Sequence, residues 1–235
     1  MTDMFSRHGP THAAADETDD APSGQDVPPA AAAPLFDPPT DTFEQIYAAV
    51  GADLDRVPWA HLRAHPLLVS WLGTRPRSPG DRALVIACGL GDDAEELAAW
   101  GFQVTAFDYS PTAIDWCHQR FPLSTVDYQV ADLLDAPRGW ARAFDLVVEI
   151  HTIQSLPPPH HAAGIDAIAA TVAAGGSLFL RCLGREDDQP VASRPWPISR
   201  SELHRFSDSD LVEADFLVED DPGETPHFRV VYSRP

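Results

Sequence analysis

No lysine and no asparagine occur anywhere in the 235-residue chain. Without an ammonium side chain, Schiff-base enzymes, pyridoxal phosphate chemistry and the P-loop ATPases are excluded. Without asparagine there is no acceptor for N-glycosylation. Both gaps fit a GC-rich genome, since both residues use A-rich codons. Cysteine is scarce as well. Cys88, Cys117 and Cys182 lie too far apart for a disulfide framework, no C-x-x-C occurs, and reduced thiols are expected. Positive charge is short: 16 basic residues face 36 acidic ones, a net charge of −20. That field repels phosphate backbones, and the scattered arginines form no run, so nucleic acid is disfavoured as a partner.

Long apolar runs are missing too. A stretch such as Ala83 to Cys88 falls far short of the roughly 20 residues a membrane span needs. Met1 to Pro10 holds no apolar region of a secretory signal. A soluble, cytoplasmic protein without a membrane partner is expected. The ten histidines raise the question of a metal. His61 and His65 sit at i, i+4 but lack a third ligand, and His160-His161 reads as a solvated helix start, so no metal is expected.

Residues 1 to about 40 are rich in Pro, Ala and Asp and lack apolar periodicity, which predicts a disordered tail. Its Asp37-Pro38-Pro39-Thr40 looks like the Asp-Pro-Pro-Tyr signature of amino-group methyltransferases, but it precedes the whole core and is a decoy. From Asp41 on, Phe43, Ile46, Tyr47 and Val50 mark one face of a helix, and His65 to Leu72 a second. These form a helical cap over 41–80, the N-terminal part of a domain running from 41 to 235.

Strand and helix signals then alternate. Strands are predicted at Ala83 to Ala87, Phe102 to Phe107, Val126 to Val130, Phe144 to Ile150 and Ser177 to Cys182. Helices are predicted at Asp92 to Trp100, Pro111 to Arg120 and His161 to Ala173, the last ended by Gly175-Gly176. Ser199-Arg200-Ser201-Glu202 is a capping box opening a helix to about Phe206. Leu211 to Val218 and His227 to Tyr232 read as a hairpin across Asp220-Asp221-Pro222-Gly223. Strand–helix units followed by an antiparallel pair predict an α/β, Rossmann-like, doubly wound sheet.

Ligands of such sheets sit beyond the carboxyl ends of the strands. The first such end is Ala87-Cys88-Gly89-Leu90-Gly91, whose glycines permit a sharp turn and close approach. Alone it suits a dinucleotide equally well, as does Asp108, 19 residues after Gly89, which can accept from both ribose hydroxyls. Asp132, following the third strand, separates the readings, because it can meet an adenine edge.

Two segments, Leu84 to Ala94 and Val104 to Ile114, resemble class I S-adenosylmethionine-dependent methyltransferases. They are most similar to the small-molecule branch of thiopurine, thiol and tellurite-resistance methyltransferases; Phe107-Asp108-Tyr109-Ser110-Pro111-Thr112-Ala113-Ile114 is the most specific part. The resemblance implies a seven-stranded sheet with the last strand antiparallel and helices on both faces. It implies that S-adenosylmethionine is the cofactor, with Gly89 and Gly91 flanking its methionine part and Ala87, Cys88 and Asp93 among the other cofactor-binding residues. Asp108, with Tyr109, Ser110 and Ala113, would hold the ribose, Asp132 and Leu133 the adenine, and Trp59 would cover the donor. Glu149 and Ile150 would touch the donor from the fourth strand.

Methyl transfer from a sulfonium is an in-line displacement that asks mainly for proximity and orientation. A small-molecule acceptor, through sulfur, nitrogen or oxygen, would face His151 and Gln154. His151 is the candidate base, with an ordinary pKa near 6.5. Arg181 and Trp196, around the long 184–197 connection, are the further substrate-binding candidates; Trp196 serves equally as a staple for the next helix. Two rivals stay open: a non-catalytic cofactor-binding protein and a nicotinamide oxidoreductase.

Overall fold

The computed structural model describes residues 40–51, 53–75, 79–191, 194–220 and 225–235. The expected tail up to residue 39 and most of the hairpin turn, 221–224, lie outside the described residues.

Alternating apolar positions become strands. Among the described residues these are β1 (Arg82–Ile86), β2 (Gln103–Asp108), β3 (Asp127–Val130), β4 (Phe144–Ile150), β5 (Val172–Arg185), the two-residue β6 (Ile198–Ser199), β7 (Val212–Glu219) and β8 (His227–Ser233). The helices are α1 (Thr40–Val50), α2 (Pro66–Leu72), α3 (Asp92–Ala99), α4 (Pro111–Arg120), α5 (Pro158–Thr171) and the single turns α6 (Arg200–Leu203) and α7 (Arg205–Asp208). The sheet order is β3-β2-β1-β4-β5-β8-β7, with β6 pairing β5 off this path. β1 to β5 run parallel, and β8 is antiparallel to both β5 and β7. The expected reversed last strand is present, and β6 is an addition.

Period-two alternation supplies both faces of the sheet. Leu84 and Ile86 of β1 join Val147, Leu178 and Leu180 against Ile165 and Ile168 of α5. Ala83 and Val85 point the other way, with Leu146, Val148 and Phe179, against Leu68 of α2, Leu97 of α3 and Ile114 of α4. Each fully buried Leu or Val contributes about 1.5–3 kcal/mol relative to exposure.

Four expectations need correction. Gly175-Gly176 does not stop a helix: α5 ends at Thr171, and both glycines lie inside β5. Gly175 takes φ +75°, and a Cβ on Gly176 would come within 2.9 Å of the Phe144 carbonyl, so the pair passes a register shift beside β4. His161 is no solvated helix start. α5 begins a turn earlier at Pro158, and the His161 ring is 2% exposed, with Nδ1 2.7 Å from Glu202 Oε1 and Nε2 2.8 Å from the Leu156 carbonyl. His61 and His65 do not share a helix face, because His65 is the N-cap of α2. The capping box at Ser199 is formed, but its helix breaks at His204 into α6 and α7.

Candidate functional site

The turn after β1 is held from two sides. Cys88 N–H donates to the Phe107 carbonyl at 2.8 Å, and Gly91 N–H closes back on the Cys88 carbonyl at 3.0 Å. Ala87, Gly89 and Gly91 take φ of 47°, 55° and 88°. At Gly91 no side chain fits: a Cβ would lie 2.6 Å from Tyr128 Oη and 3.1 Å from Cys117 Sγ. Gly89, by contrast, presents bare backbone to the cavity above the turn.

Asp108, at the end of β2, organises this turn. Its Oδ2 accepts from Gly89 N–H and its Oδ1 from Ser110 N–H, both at 2.9 Å. Burial pushes its pKa up, against backbone hydrogen bonds from Ser110, Gly89 and Tyr109 that hold it down. A carboxylate has about four acceptor positions, and Asp108 lines the cavity above the turn. Asp132 caps the turn after β3, accepting from Leu134 N–H at 2.8 Å.

The cap region is pinned over these ends. Glu44 of α1 accepts from the Ser110 and Thr112 hydroxyls at the start of α4. Burial raises the Glu44 pKa, but these hydrogen bonds outweigh it and leave the group below its usual range. Trp59 Nε1 donates to Tyr47 Oη at 2.9 Å and meets Phe43 edge-on at 5.3 Å. Asp93 of α3 accepts from His65 N–H at 2.7 Å, tying the start of α2 to the helix that follows the glycine turn. Burial first, and the charge of Asp92 after it, push Asp93 up to about 6, against the hydrogen bond from His65.

Beyond β4 the character changes. Glu149 is wholly buried; its Oε1 accepts from Thr152 and Ile153 N–H, while Oε2 is sealed without a partner. Burial raises its pKa to about 7. His151 sits at φ +64°, and its Nε2 receives a hydrogen bond from Arg181 Nη1. Burial, then the Arg181 charge, lower the His151 pKa to about 3. Arg181 also pairs with Glu219 at 2.8 Å.

These strand ends share a cavity of about 840 Å³. Of the expected residues, Trp59, Ala87, Cys88, Gly89, Asp93, Asp108, Tyr109, Asp132, Leu133, Ile150, His151, Gln154 and Arg181 line it. Gly91, Ser110, Ala113, Glu149 and Trp196 do not. Gly91 and Ser110 shape the turn and cap α4, and Ala113 and Glu149 are fully buried. Trp196 acts through its backbone, donating to the Gln154 carbonyl at 2.7 Å, while its neighbours Arg194 and Pro195 reach the cavity. Sequence reasoning missed Tyr47, His65 and Glu219 as cavity residues. Tyr47 carried only a helix-face signal, and no local pattern marks Glu219.

A family profile described as a methyltransferase domain matches residues 83–176. The ubiquinone biosynthesis O-methyltransferase of Xanthomonas campestris pv. campestris (strain B100) is 32% identical over 123 residues, 52% of this chain and 51% of the relative. The chain thus spans about half the length of the curated relatives it matches. Among solved structures, the N-methyltransferase NodS from Bradyrhizobium japonicum WM9, in complex with S-adenosyl-L-homocysteine, superposes with a TM-score of 0.65 at 20% identity, covering 85% of this chain and 100% of that one. The [4+2]-cyclase SpnF superposes with a TM-score of 0.69 at 13% identity, covering 86% and 98%. Residues 83–176 thus match a methyltransferase domain, and the reversed β8 and the glycine turn after β1 belong to the fold that the chain shares with class I S-adenosylmethionine-dependent methyltransferases.

Proposed function

We propose that this chain transfers a methyl group from S-adenosylmethionine to a small-molecule acceptor. The observation that carries the reading is that the Cys88-Gly89 backbone, Asp108, Asp132 and His151, from the ends of four different strands, line one cavity. The fit with the donor rests on Gly89, which lines the cavity as bare backbone at φ +55°, and on the Asp108 carboxylate beside it in the cavity wall.

When bound, the donor supplies an activated methyl on a sulfonium, and a neutral thioether leaves. The chain's own residues orient and exclude water. Asp108 accepts from the ribose hydroxyls, with Tyr109 beside it. Asp132 and Leu133 border the adenine. Ala87, Cys88, Gly89 and Asp93 surround the amino-acid part, and Ile150 flanks it from β4. Trp59, steadied by Tyr47, covers the donor. Gly91, Ser110, Ala113 and Glu149 act from behind the wall by fixing the turn, α4 and the end of β4. Gln154, His151 and Arg181 border the acceptor, and Trp196 holds the loop beside them.

His151 serves as an orienting donor. A guanidinium offers only donors, so the contact with Arg181 occupies the Nε2 lone pair and leaves the proton on Nδ1. His151 is then not available as the base for a neutral alcohol, which favours an acceptor already nucleophilic, such as a thiolate, amine or phenolate. The residues from 41 to 80 belong to this domain as its cap. The three free thiols support action in the cytoplasm.

Calorimetry with S-adenosylhomocysteine and with NADH, followed by labelled donor against thiols, amines, phenols and carboxylic acids, tests the reading. Binding of S-adenosylhomocysteine with label passed to one class is expected. Binding of NADH alone would return the nicotinamide rival. Binding of S-adenosylhomocysteine without transfer to any class would leave a scaffold protein.

A further inference from the structure

At the end of the cavity across the sheet from Asp132, the His151 ring lies against those of His65 and His227 and contacts the Arg181 guanidinium, with His61 also on the cavity wall. His61 and His65 come from the segment before α2, His151 from the end of β4, His227 from the start of β8, and Arg181 from β5. The His151 ring centroid lies 6.5 Å from that of His65 and 5.3 Å from that of His227. The carboxylate among them, Glu219, is engaged by Arg181 Nε at 2.8 Å. In a chain of net charge −20, this is a concentration of donors.

The hydrogen bonds decide where the protons sit. Arg181 donates to His151 Nε2, so the His151 proton is on Nδ1. Leu67 N–H donates to His65 Nδ1 at 3.3 Å, so the His65 proton is on Nε2. Neither proton-bearing nitrogen, nor Arg181 Nη2, has a hydrogen-bond acceptor among the described residues. Among those residues the sealed polar side-chain atom without a partner is Glu149 Oε2, so these three donors are open. All three residues line the cavity. Burial, then the Arg181 charge, hold His65 at about 4 and His151 at about 3, so both rings donate as neutral imidazoles.

Donors on residues that line one cavity, each without a partner of its own, suit a group that only accepts. A carboxylate does so through two oxygens and matches a guanidinium edge. A neutral amide turns N–H groups toward N–H groups. We propose that Arg181, His65 and His151 form the recognition site for a carboxylate on the methyl acceptor, so that the substrates are organic acids whose nucleophile lies elsewhere in the molecule. The proposal rests on the reading of this cavity as the methyl-transfer site.

The test is calorimetry with benzoate against benzamide and hexanoate against hexanamide, each with and without S-adenosylhomocysteine. In at least one pair the carboxylate is expected to bind at least about fivefold more tightly than its amide. Arg181→Met is expected to bring that ratio within about twofold. His65→Asn keeps an oxygen to cap the Leu67 N–H while removing the ring N–H, and is expected to weaken carboxylate binding about threefold or more. It carries the test if Arg181→Met fails to fold, as judged by circular dichroism. A smaller ratio in both pairs, no carboxylate binding, or a ratio unmoved by the folded variants overturns the proposal. Carboxylate preference in a protein that does not bind S-adenosylhomocysteine leaves the anion site standing and overturns the methyl-transfer reading instead.

Discussion

Arg181 donates a hydrogen bond to Nε2 of His151, and this contact, between residues 30 apart in the chain, decides which imidazole nitrogen keeps its proton. A histidine that reads as a general base in the sequence is thereby an N–H donor facing the cavity. The same guanidinium engages Glu219, so β4, β5 and β7 meet at one cation.

The pH profile follows. Burial, then Arg181, set the His151 pKa at about 3, so its charge does not change in the neutral range. The pH dependence of kcat/KM is expected to show no inflection from His151 between about pH 5.5 and 8. An inflection near 6.5 that disappears in His151→Gln would mean a titrating base and a broken Arg181 contact.

Asp108→Ala removes the acceptor for Gly89 and Ser110 N–H, each bonded at 2.9 Å. Leaving buried donors unsatisfied costs about 1–3 kcal/mol each. S-adenosylhomocysteine affinity measured by calorimetry is expected to fall at least about tenfold. A change within about twofold, roughly 0.4 kcal/mol, would remove Asp108 from the cofactor site.

The two glycines of the turn separate by substitution. At Gly91 the φ is +88° and a new Cβ would lie 2.6 Å from Tyr128 Oη; at Gly89 the φ is +55° and the nearest atom is Tyr47 Oη at 3.2 Å. Left-handed strain costs about 1–2 kcal/mol at either, and overpacking adds about 1–3 kcal/mol at Gly91. Urea denaturation is expected to rank Gly91→Ala below Gly89→Ala, and Tyr128→Phe to restore part of the difference. Equal stabilities would sink the steric account.

Glu149 predicts a pH-dependent stability of unusual sign. Burial raises its folded pKa to about 7, against an ordinary 4.5. Between these values the folded state holds a proton that the unfolded state has released, so stability falls as pH rises through this window. Glu149→Gln keeps an oxygen for Thr152 and Ile153 N–H and cannot ionise. Denaturant melts are expected to find it more stable than wild type by about 1–3 kcal/mol near pH 8 and equal to it near pH 4.5. A variant less stable at pH 8 would mean that the carboxylate is stabilised by a partner.

Much of the sheet was legible because its signals are short-range. The apolar centre Leu146-Val147-Val148 of Phe144 to Ile150 returned β4 to the residue, and Pro111 after the Ser110 cap opened α4 as expected. The glycine pair at Gly175-Gly176 misled, since a helix stop and a strand irregularity use the same freedom of φ. What separates them is the Phe144 carbonyl on the neighbouring strand. His161 misled for a related reason: its acceptor Glu202 lies 41 residues away.

The amino-acid sequence by itself determined the succession of strands and helices, the bare turn at Gly89 and Gly91, and the carboxylate at Asp108. Each depends on residue periods, caps and φ preferences that operate within a few positions. Only the tertiary structure decided the state of the polar groups at the β4–β5 end of the cavity. The tautomers of His65 and His151, the pairing of Arg181 with Glu219 and the sealing of Glu149 arise where the strand order brings distant residues together. There, burial removes the water that would otherwise satisfy each group, so its chemistry is set by whichever neighbour the fold provides.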